Sequence, residues 1–215
     1  MSKDPRIAVV DYGAGNLRSV AKALERSGLV ASVVSDRAAV RRADGVVLPG
    51  VGAFADAVAN LSDKGLDDAV RESIDAGRPY LGLCLGLQVL FDESDEHGPT
   101  DGLELLPGRV ERFAERDGDD KPLCVPHIGW NSVRFRGSHP MLEQMPDEDC
   151  YYFVHSYKAV PAHAEIAVGL ADYGGDFAAA VATERLFAVQ FHPEKSQSAG
   201  KKLLDAYASW VRSCF

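Results

Sequence analysis

A cysteine between two glycines is the first candidate for chemistry. Cys84 lies in the stretch GLCLG, residues 82–86. The pattern Gly-x-nucleophile-x-Gly is typical of a strained turn between a strand and a helix, where the glycines allow the two elements to approach closely. This turn is expected to place the thiol at the N-terminus of a helix, where unpaired N–H groups and the helix dipole favour a thiolate. A cysteine in an apolar run also packs as a small buried hydrophobe, so a nucleophile needs a partner base.

The best candidate for that base is in the stretch FAVQFHPE, residues 187–194. His192 is one of six histidines and lies at the end of an apolar run, a common position for functional groups in open α/β sheets. Pro193 favours an extended conformation at His192, and residues two apart in extended chain point the same way, so Glu194 is expected beside the imidazole. Cys84, His192 and Glu194 thus suit the roles of nucleophile, base and orienting carboxylate. A zinc site from the same residues lacks typical ligand spacing.

Acyl chemistry at a thiol also needs N–H donors for a developing oxyanion. The residue after the nucleophile usually gives one, here Leu85. The stretch PGVGAF, residues 49–54, offers a second, because Gly50 and Gly52 leave the Val51 peptide free to turn its amide toward the site. Two glycines after a strand also suit an ordinary loop.

The elements that must carry these residues follow from hydrophobic periodicity. In the first half, short apolar runs at residues 6–10, 31–36, 43–50 and 78–84 predict strands. A helix is predicted over residues 15–28, with Asn16 as N-cap and Gly28 as its stop. Residues 54–76 predict helix with a break near 62–65, and residues 85–94 predict helix directly after the cysteine. Alternating strands and helices imply parallel strand pairing with helices on both faces.

The second half is rich in short β-type runs, and residues 198–213 predict a closing helix. The fold class is therefore α/β, a three-layer open mixed sheet with helices on both faces. The chain shows no internal repeat and no long linker, so residues 1–215 are expected to form a single domain.

Composition narrows the class of protein. The formal net charge is −9 with scattered lysines and arginines, which disfavours a nucleic-acid binder. No run of 18 apolar residues is present and the start of the chain lacks a signal-peptide pattern, so no membrane association and a cytoplasmic location are expected. The four cysteines form no CxxC pair, which suggests reduced thiols and no metal site.

Taken together, the motifs resemble a known family. PGVGAF (49–54), GLCLGLQ (82–88) and QFHPEKS (190–196), in this order, are similar to the class I, triad-type glutamine amidotransferases. PHIGWN (126–131) and YYFVHSY (151–157) narrow the resemblance to the glutaminase subunits of imidazole glycerol phosphate synthase, from histidine biosynthesis. The resemblance covers essentially the whole chain. It implies the class I amidotransferase fold and no cofactor.

The resemblance also implies a reaction. Cys84 attacks the side-chain amide of glutamine, forms a glutamyl thioester and releases ammonia, and water then frees glutamate. His192 transfers the protons and Glu194 holds its ring, while Val51 and Leu85 give the oxyanion hole. The implied glutamine-binding residues are Gly50, Gly52, Gln88, Glu96, His155, Ser156 and Tyr157.

A partner is implied as well. The resemblance calls for a heterodimer with a cyclase subunit of (β/α)8-barrel type, which receives the ammonia through an internal channel. Its products are imidazole glycerol phosphate and an aminoimidazole carboxamide ribotide. The oxyanion donor near Val51 is expected to be set correctly only when the partner binds its substrate. The implied interface residues are Asn16, Pro126, Ile128, Trp130, Tyr152 and Lys195, although core packing also explains Trp130 and Tyr152.

Other interpretations stay open. A triad glutaminase that serves another ammonia-using synthase shares most of these motifs. A nucleotide-binding module is suggested by Gly13, Gly15 and Asp36, but Arg18 occupies the third glycine position of G-x-G-x-x-G. A catalytically inactive relative is disfavoured because all three triad positions are filled.

Overall fold

The computed structural model describes residues 4–214, and within them thirteen strands form one sheet. The strands are β1 Arg6–Val10, β2 Val30–Val34, β3 Gly45–Gly50, β4 Tyr80–Cys84, β5 Phe91–Ser94, β6 Thr100–Asp101, β7 Leu106–Arg112, β8 His127–Phe135, β9 Glu148–His155, β10 Tyr157–Pro161, β11 Ala167–Asp172, β12 Asp176–Thr183 and β13 Leu186–Val189. The helices are α1 Leu17–Arg26, α2 Arg37–Arg41, α3 Phe54–Asp63, α4 Leu66–Asp75, α5 Leu85–Gln88 and α6 Gln197–Ser213.

The order of the strands brings the candidate residues to one edge. The parallel part runs β2-β1-β3-β4-β13, and the sheet continues through β12 and β10 to β7, β5 and β6. In the β3–β4 pair Gly50 lies opposite Cys84, and in the β4–β13 pair Leu83 lies opposite Val189. The carboxyl ends of three neighbouring strands therefore hold PGVG, the cysteine and the segment that leads to His192. This is the edge where open α/β sheets bind ligands.

Helices cover both faces of the sheet. Alternate strand residues point to opposite sides, so each face presents apolar side chains that the helices bury. Val47 packs with α1 and α6, whose buried residues include Leu24 and Tyr207. Its neighbour Val46 packs on the other side with α2, α3 and α4. The predicted mixed sheet with two helical layers is confirmed, and an antiparallel ribbon of β11, β8 and β9 extends it.

The glycines around the cysteine are explained by close approach. A Cβ atom at Gly86 would collide with the carbonyl oxygen of Leu48, and one at Gly82 would collide with the carbonyl oxygen of Gly86. Any side chain at either position would therefore push α5 away from β3 and β4. The turn that carries Cys84 requires both glycines.

The structure departs from the sequence prediction at three places. The helix predicted over residues 85–94 stops at Gln88, and Phe91–Ser94 forms strand β5 because β6 and β7 pair with it. Asn16 occupies the N-cap position of α1 as predicted, but its side chain makes no capping hydrogen bond. The sequence also missed α2, whose N-cap is Asp36, with Oδ1 accepting from the Ala39 amide over 2.9 Å. That carboxylate is engaged in the helix cap, which weakens the nucleotide-binding interpretation.

Among the helices of residues 4–214, none is both long and apolar enough to cross a membrane. The cytoplasmic location stays a prediction from the sequence.

Candidate active site

A pocket of about 370 Å³ opens at the carboxyl edge of the sheet. It gathers residues that the sequence places far apart. Its lining comprises Val51, Gly52, Cys84, Leu85, Gln88, Glu96, Pro126, Val154, His155, Ser156, Tyr157 and His192.

Cys84 occupies the sharp turn at the base of this pocket. Its backbone has φ 55° and ψ −107°, a conformation that L-residues rarely adopt. Such backbone strain persists only where the surroundings enforce it, and it is concentrated at functional sites. The following helix α5 has only four residues, so the dipole expected from the sequence is small. The first N–H groups of α5, beginning with Leu85, still lack intrahelical partners and lie next to the thiol.

His192 and Glu194 form a buried pair. Nδ1 of His192 lies 3.0 Å from Oε1 of Glu194, and both side chains are at most 4% exposed. The sequence correctly predicted that Glu194 contacts the imidazole. It attributed the contact to an extended chain, and the structure shows a different backbone conformation. His192 is extended, whereas Pro193–Lys195 is a 3₁₀ turn that folds the carboxylate back onto the ring.

The electrostatics of this pair favour a charged imidazole. Burial alone would lower the pKa of His192, but the nearby Cys84 sulfur and Glu194 carboxylate raise it to about 9. Among the described residues, Nε2 of His192 has no hydrogen-bond partner within bonding geometry. Loose contact between base and nucleophile is common in unliganded enzymes and tightens when substrate binds.

The loop that could supply a second oxyanion donor lies beside the thiol. Val51 is 43% exposed at the mouth of the pocket, and Gly52 adopts φ 101°, a value that glycine tolerates. Tyr12 lies buried beneath this loop, and a Cβ atom at Gly50 would come within 2.5 Å of its hydroxyl. Burial raises the pKa of Tyr12, the charge of Cys84 raises it further, and the Val51 amide opposes both.

Two polar side chains that line the pocket, Gln88 and Glu96, use some of their hydrogen-bonding groups for contacts within the protein. Nε2 of Gln88 donates to the carbonyl oxygen of Tyr157 over 3.0 Å and to Oε1 of Gln190 over 2.9 Å. Only the Oε1 acceptor of Gln88 remains for a ligand. Oε2 of Glu96 accepts from the Phe54 amide over 2.6 Å, which fixes the first turn of α3. The sequence did not predict this structural role of Glu96, whose other oxygen remains available.

A chain of imidazoles runs from the pocket wall toward β8. Nδ1 of His155 lies 2.8 Å from the carbonyl oxygen of Tyr157, which can only accept, so His155 carries its proton on Nδ1. Nε2 of His155 therefore accepts, and Nδ1 of His127 donates to it over 2.9 Å. Burial lowers the pKa of His155 to about 3 and that of His127 to about 4. Both rings are thus neutral and have defined tautomers.

The outer surface next to the pocket is apolar. Ile128 is 60% exposed and Trp130 48% exposed, and Trp130 packs edge-on against Tyr152 with ring centroids 6.1 Å apart. Nζ of Lys195 lies 5.8 Å from the centre of the Tyr152 ring. Core packing, which the sequence left open for Trp130 and Tyr152, does not describe a half-exposed tryptophan. Pro126 is exposed at the pocket mouth, and Asn16 is exposed on the loop before α1.

Comparison with known proteins decides the family. The family profile described as glutamine amidotransferase class-I matches residues 8–207. The chain is 48% identical to the imidazole glycerol phosphate synthase subunit HisH of Geobacillus thermodenitrificans, over 95% of this chain and 96% of that protein. It is also 48% identical to the subunit of the same name from Moorella thermoacetica, over 96% and 95%. The chain belongs to the class-I glutamine amidotransferases, among the HisH subunits.

Solved structures share the fold of this amidotransferase. PurLQS from Thermotoga maritima superimposes with a TM-score of 0.77 at 19% identity, covering 97% of this chain and 100% of that chain. The glutaminase domain of CTPS from Trypanosoma brucei gives 0.70 at 19% identity, covering 97% and 94%. At this identity the likeness concerns the fold alone.

Sequence reasoning overlooked several residues of the amidotransferase that the structure brings to the site. The sequence could have indicated Gln190. Residues two apart in an extended strand point to the same side, so Gln190 is expected on the side of His192. Tyr12, His127 and Ser196, whose hydroxyl accepts from the Tyr152 amide over 3.0 Å, depend on contacts between distant segments, and no local pattern marks them.

Proposed function

We propose that this chain is the glutaminase subunit of an imidazole glycerol phosphate synthase, hydrolysing glutamine to glutamate and ammonia for histidine biosynthesis. The observation that carries the proposal is the 48% identity to HisH subunits over nearly the whole chain, together with one pocket lined by Cys84 and His192.

The proposed first step is attack by the thiolate of Cys84 on the side-chain amide carbon of glutamine. The new C–S bond turns the carbonyl oxygen into an oxyanion, which the amides of Leu85 and Val51 are proposed to stabilise. Protonated His192 then gives its proton to the leaving nitrogen, the C–N bond breaks, and ammonia departs. The raised pKa of His192, about 9, supports a proton donor at neutral pH.

In the second step, neutral His192 takes a proton from water as the water attacks the glutamyl thioester. The C–S bond breaks, glutamate leaves and the thiolate returns. Glu194 keeps the Nδ1 proton of the ring in place, so that Nε2 does the proton transfer.

Glutamine is proposed to bind with its α-ammonium group near Glu96 and the free acceptor of Gln88. Gly50, Gly52 and the backbone of His155, Ser156 and Tyr157 are the further proposed contacts. All of these except Gly50 line the pocket, while Gly50 lies beside the lining residues Val51 and Cys84 in the β3–β4 pair.

The partner is proposed to be a cyclase subunit, joined as a heterodimer that receives ammonia through a channel. The exposed side chains of Ile128 and Trp130, with the half-buried Tyr152 packed against Trp130, lie next to the pocket mouth and support this docking position. Lys195, Pro126 and Asn16 are proposed to lie at its edge.

The test is glutamate release by the full chain, alone and with the cyclase subunit and its ribulosyl phosphate substrate. Wild type should release glutamate faster in the complex, and Cys84→Ala should release none. Supplied ammonium salt should restore cyclase product in the Cys84→Ala complex, because only the ammonia source is lost. Cys214→Ala, an exposed cysteine at the end of α6, is the matched control and should behave as wild type. Undiminished glutamate release by Cys84→Ala would overturn the proposal.

A further inference from the structure

A buried glutamine contacts the sulfur of Cys84. Gln190 follows strand β13 and is 0% exposed, and its backbone amide donates to the Ala179 carbonyl oxygen over 2.9 Å. Its side chain reaches the thiol at the base of the pocket, and Nε2 lies 3.6 Å from Sγ of Cys84. This distance suits an N–H donor to sulfur, whose radius exceeds that of oxygen.

The orientation of the Gln190 amide follows from its neighbours. The Tyr157 carbonyl can only accept, so the group of Gln88 that faces it at 3.0 Å must be the NH₂ group. That same NH₂ group faces Gln190 at 2.9 Å, so Gln190 must present its oxygen there. The NH₂ group of Gln190 is left on the side of Cys84. The Tyr157 carbonyl thus sets the orientation of both amides: Gln88 donates to Tyr157 and to Gln190, and Gln190 donates to Cys84.

A buried carboxamide needs partners for its donors. Among the hydrogen bonds of residues 4–214, the sulfur of Cys84 is the partner of Gln190 Nε2. A hydrogen bond to an ionised group is stronger than one to a neutral group, so this contact gains strength when the thiol loses its proton.

We propose that Gln190 is a positioning residue for the nucleophile: its side-chain N–H stabilises the Cys84 thiolate and fixes its direction, while Gln88 and Tyr157 hold Gln190 in the donating orientation. This inference rests on the proposed role of Cys84. It gives Gln88 a second task beside ligand binding, because the residue connects the glutamine pocket to the nucleophile. His192 supplies a nearby positive charge, and Gln190 supplies a neutral donor.

The experiment is alkylation of Cys84 by iodoacetamide between pH 5 and 9.5, with the Cys84 peptide quantified by mass spectrometry because Cys124, Cys150 and Cys214 are exposed and also react. Gln190→Met removes the donor with little change in volume. We expect its rate at pH 6 to fall at least fivefold while the rate at pH 9.5 stays near wild type, so that the half-maximal rate moves to higher pH. A general disturbance of the pocket would change the rate equally at every pH.

Gln88→Met tests whether Gln88 holds the Gln190 amide in the donating orientation. Without its NH₂ group the Gln190 amide is free to rotate, so the profile should move in the same direction by a smaller amount. If Gln190→Met does not fold, Gln190→Leu serves, since it also removes the donor and adds no charge beside the sulfur. Its profile should also move to higher pH. Folded Gln190 variants with an unchanged profile would overturn the inference.

Failure of this inference is distinguishable from failure of the proposed function. Alkylation needs no glutamine turnover, so an unchanged profile together with an inactive Cys84→Ala rejects only the role of Gln190. Glutamate release by Cys84→Ala rejects the role of Cys84 itself.

Discussion

The backbone amide of His192 donates to the carbonyl oxygen of Tyr152 over 2.9 Å. Ser196 strengthens this attachment, because its hydroxyl donates to the His192 carbonyl over 2.7 Å and accepts from the Tyr152 amide over 3.0 Å. The candidate base is therefore held by strand β9. The same strand carries the Tyr152 ring, which contacts Trp130 on the exposed apolar surface. If a partner displaces Trp130, the movement can be transmitted to His192 through Tyr152.

Ser196→Ala should lower glutamate release about tenfold. It removes the two hydrogen bonds by which the hydroxyl joins the His192 carbonyl to the Tyr152 amide, and the backbone bond from His192 to Tyr152 is left to hold the imidazole in position. The measurement is the rate of glutamate release at saturating glutamine in the complex. Ser198→Ala, at an exposed position one step into α6, is the control and should leave the rate unchanged. An unaltered rate in folded Ser196→Ala would show that the turn positions His192 without this hydroxyl.

Trp130→Ala should weaken binding to the cyclase subunit by about 2 kcal/mol, in the range of aromatic residues at the centre of interfaces. The half-exposed ring has few core contacts to lose, so the melting temperature of the chain alone should change little. Isothermal titration of one subunit into the other measures the affinity. Val33→Ala removes an apolar side chain of similar exposure from the edge strand β2 and should bind like wild type. Equal affinities for the two variants would remove this surface from the interface.

Gly86→Ala should destabilise the fold by about 3 kcal/mol or more, since the added methyl collides with the Leu48 carbonyl oxygen, which is backbone and cannot move aside. Urea denaturation measures the free energy of unfolding. Gly118→Ala is the control, because a Cβ atom there has open space, and its change should stay within about 0.5 kcal/mol. Equal stabilities of the two variants would contradict the close approach of α5 to β3.

Stability should fall on acidification between about pH 6.5 and pH 4 because of the neutral buried histidines. The pKa of His127 is lowered to about 4 and that of His155 to about 3, against an ordinary value near 6.5 in the unfolded chain. In this window the unfolded state binds protons that the folded state excludes, so acid favours unfolding. The free energy of unfolding therefore has its full value above about pH 6.5. Protonation of each histidine in the unfolded state lowers it by roughly 1–3 kcal/mol at pH 4.

The variant that checks this is His127→Asn, whose amide nitrogen can replace the Nδ1 donor. Urea denaturation of wild type and variant across the window should give a smaller pH slope for His127→Asn, whatever its absolute stability. Equal slopes would mean that His127 does not titrate as described.

Much of this protein follows from local patterns in the sequence. The GLCLG spacing determined that a strand must turn sharply at Cys84, because only glycines allow the backbone of β4, α5 and β3 to come so close. Alternating apolar runs determined the parallel sheet, and parallel strands end at one edge, so PGVG, the cysteine and HPE had to meet there. The exposed surface around Trp130 came from the family resemblance, since no periodicity distinguishes it from a core position.

What only the tertiary structure decided are the contacts made across the sheet. Residues 85–94 look helical in isolation, yet strand pairing with β6 and β7 makes Phe91–Ser94 a strand, because those hydrogen bonds outweigh a weak local preference. The Gln190 donor, the contact between His127 and His155 and the attachment of His192 by Ser196 all depend on groups at least 28 positions apart. Sequence determined which groups are present at the site, and packing determined which way each one points.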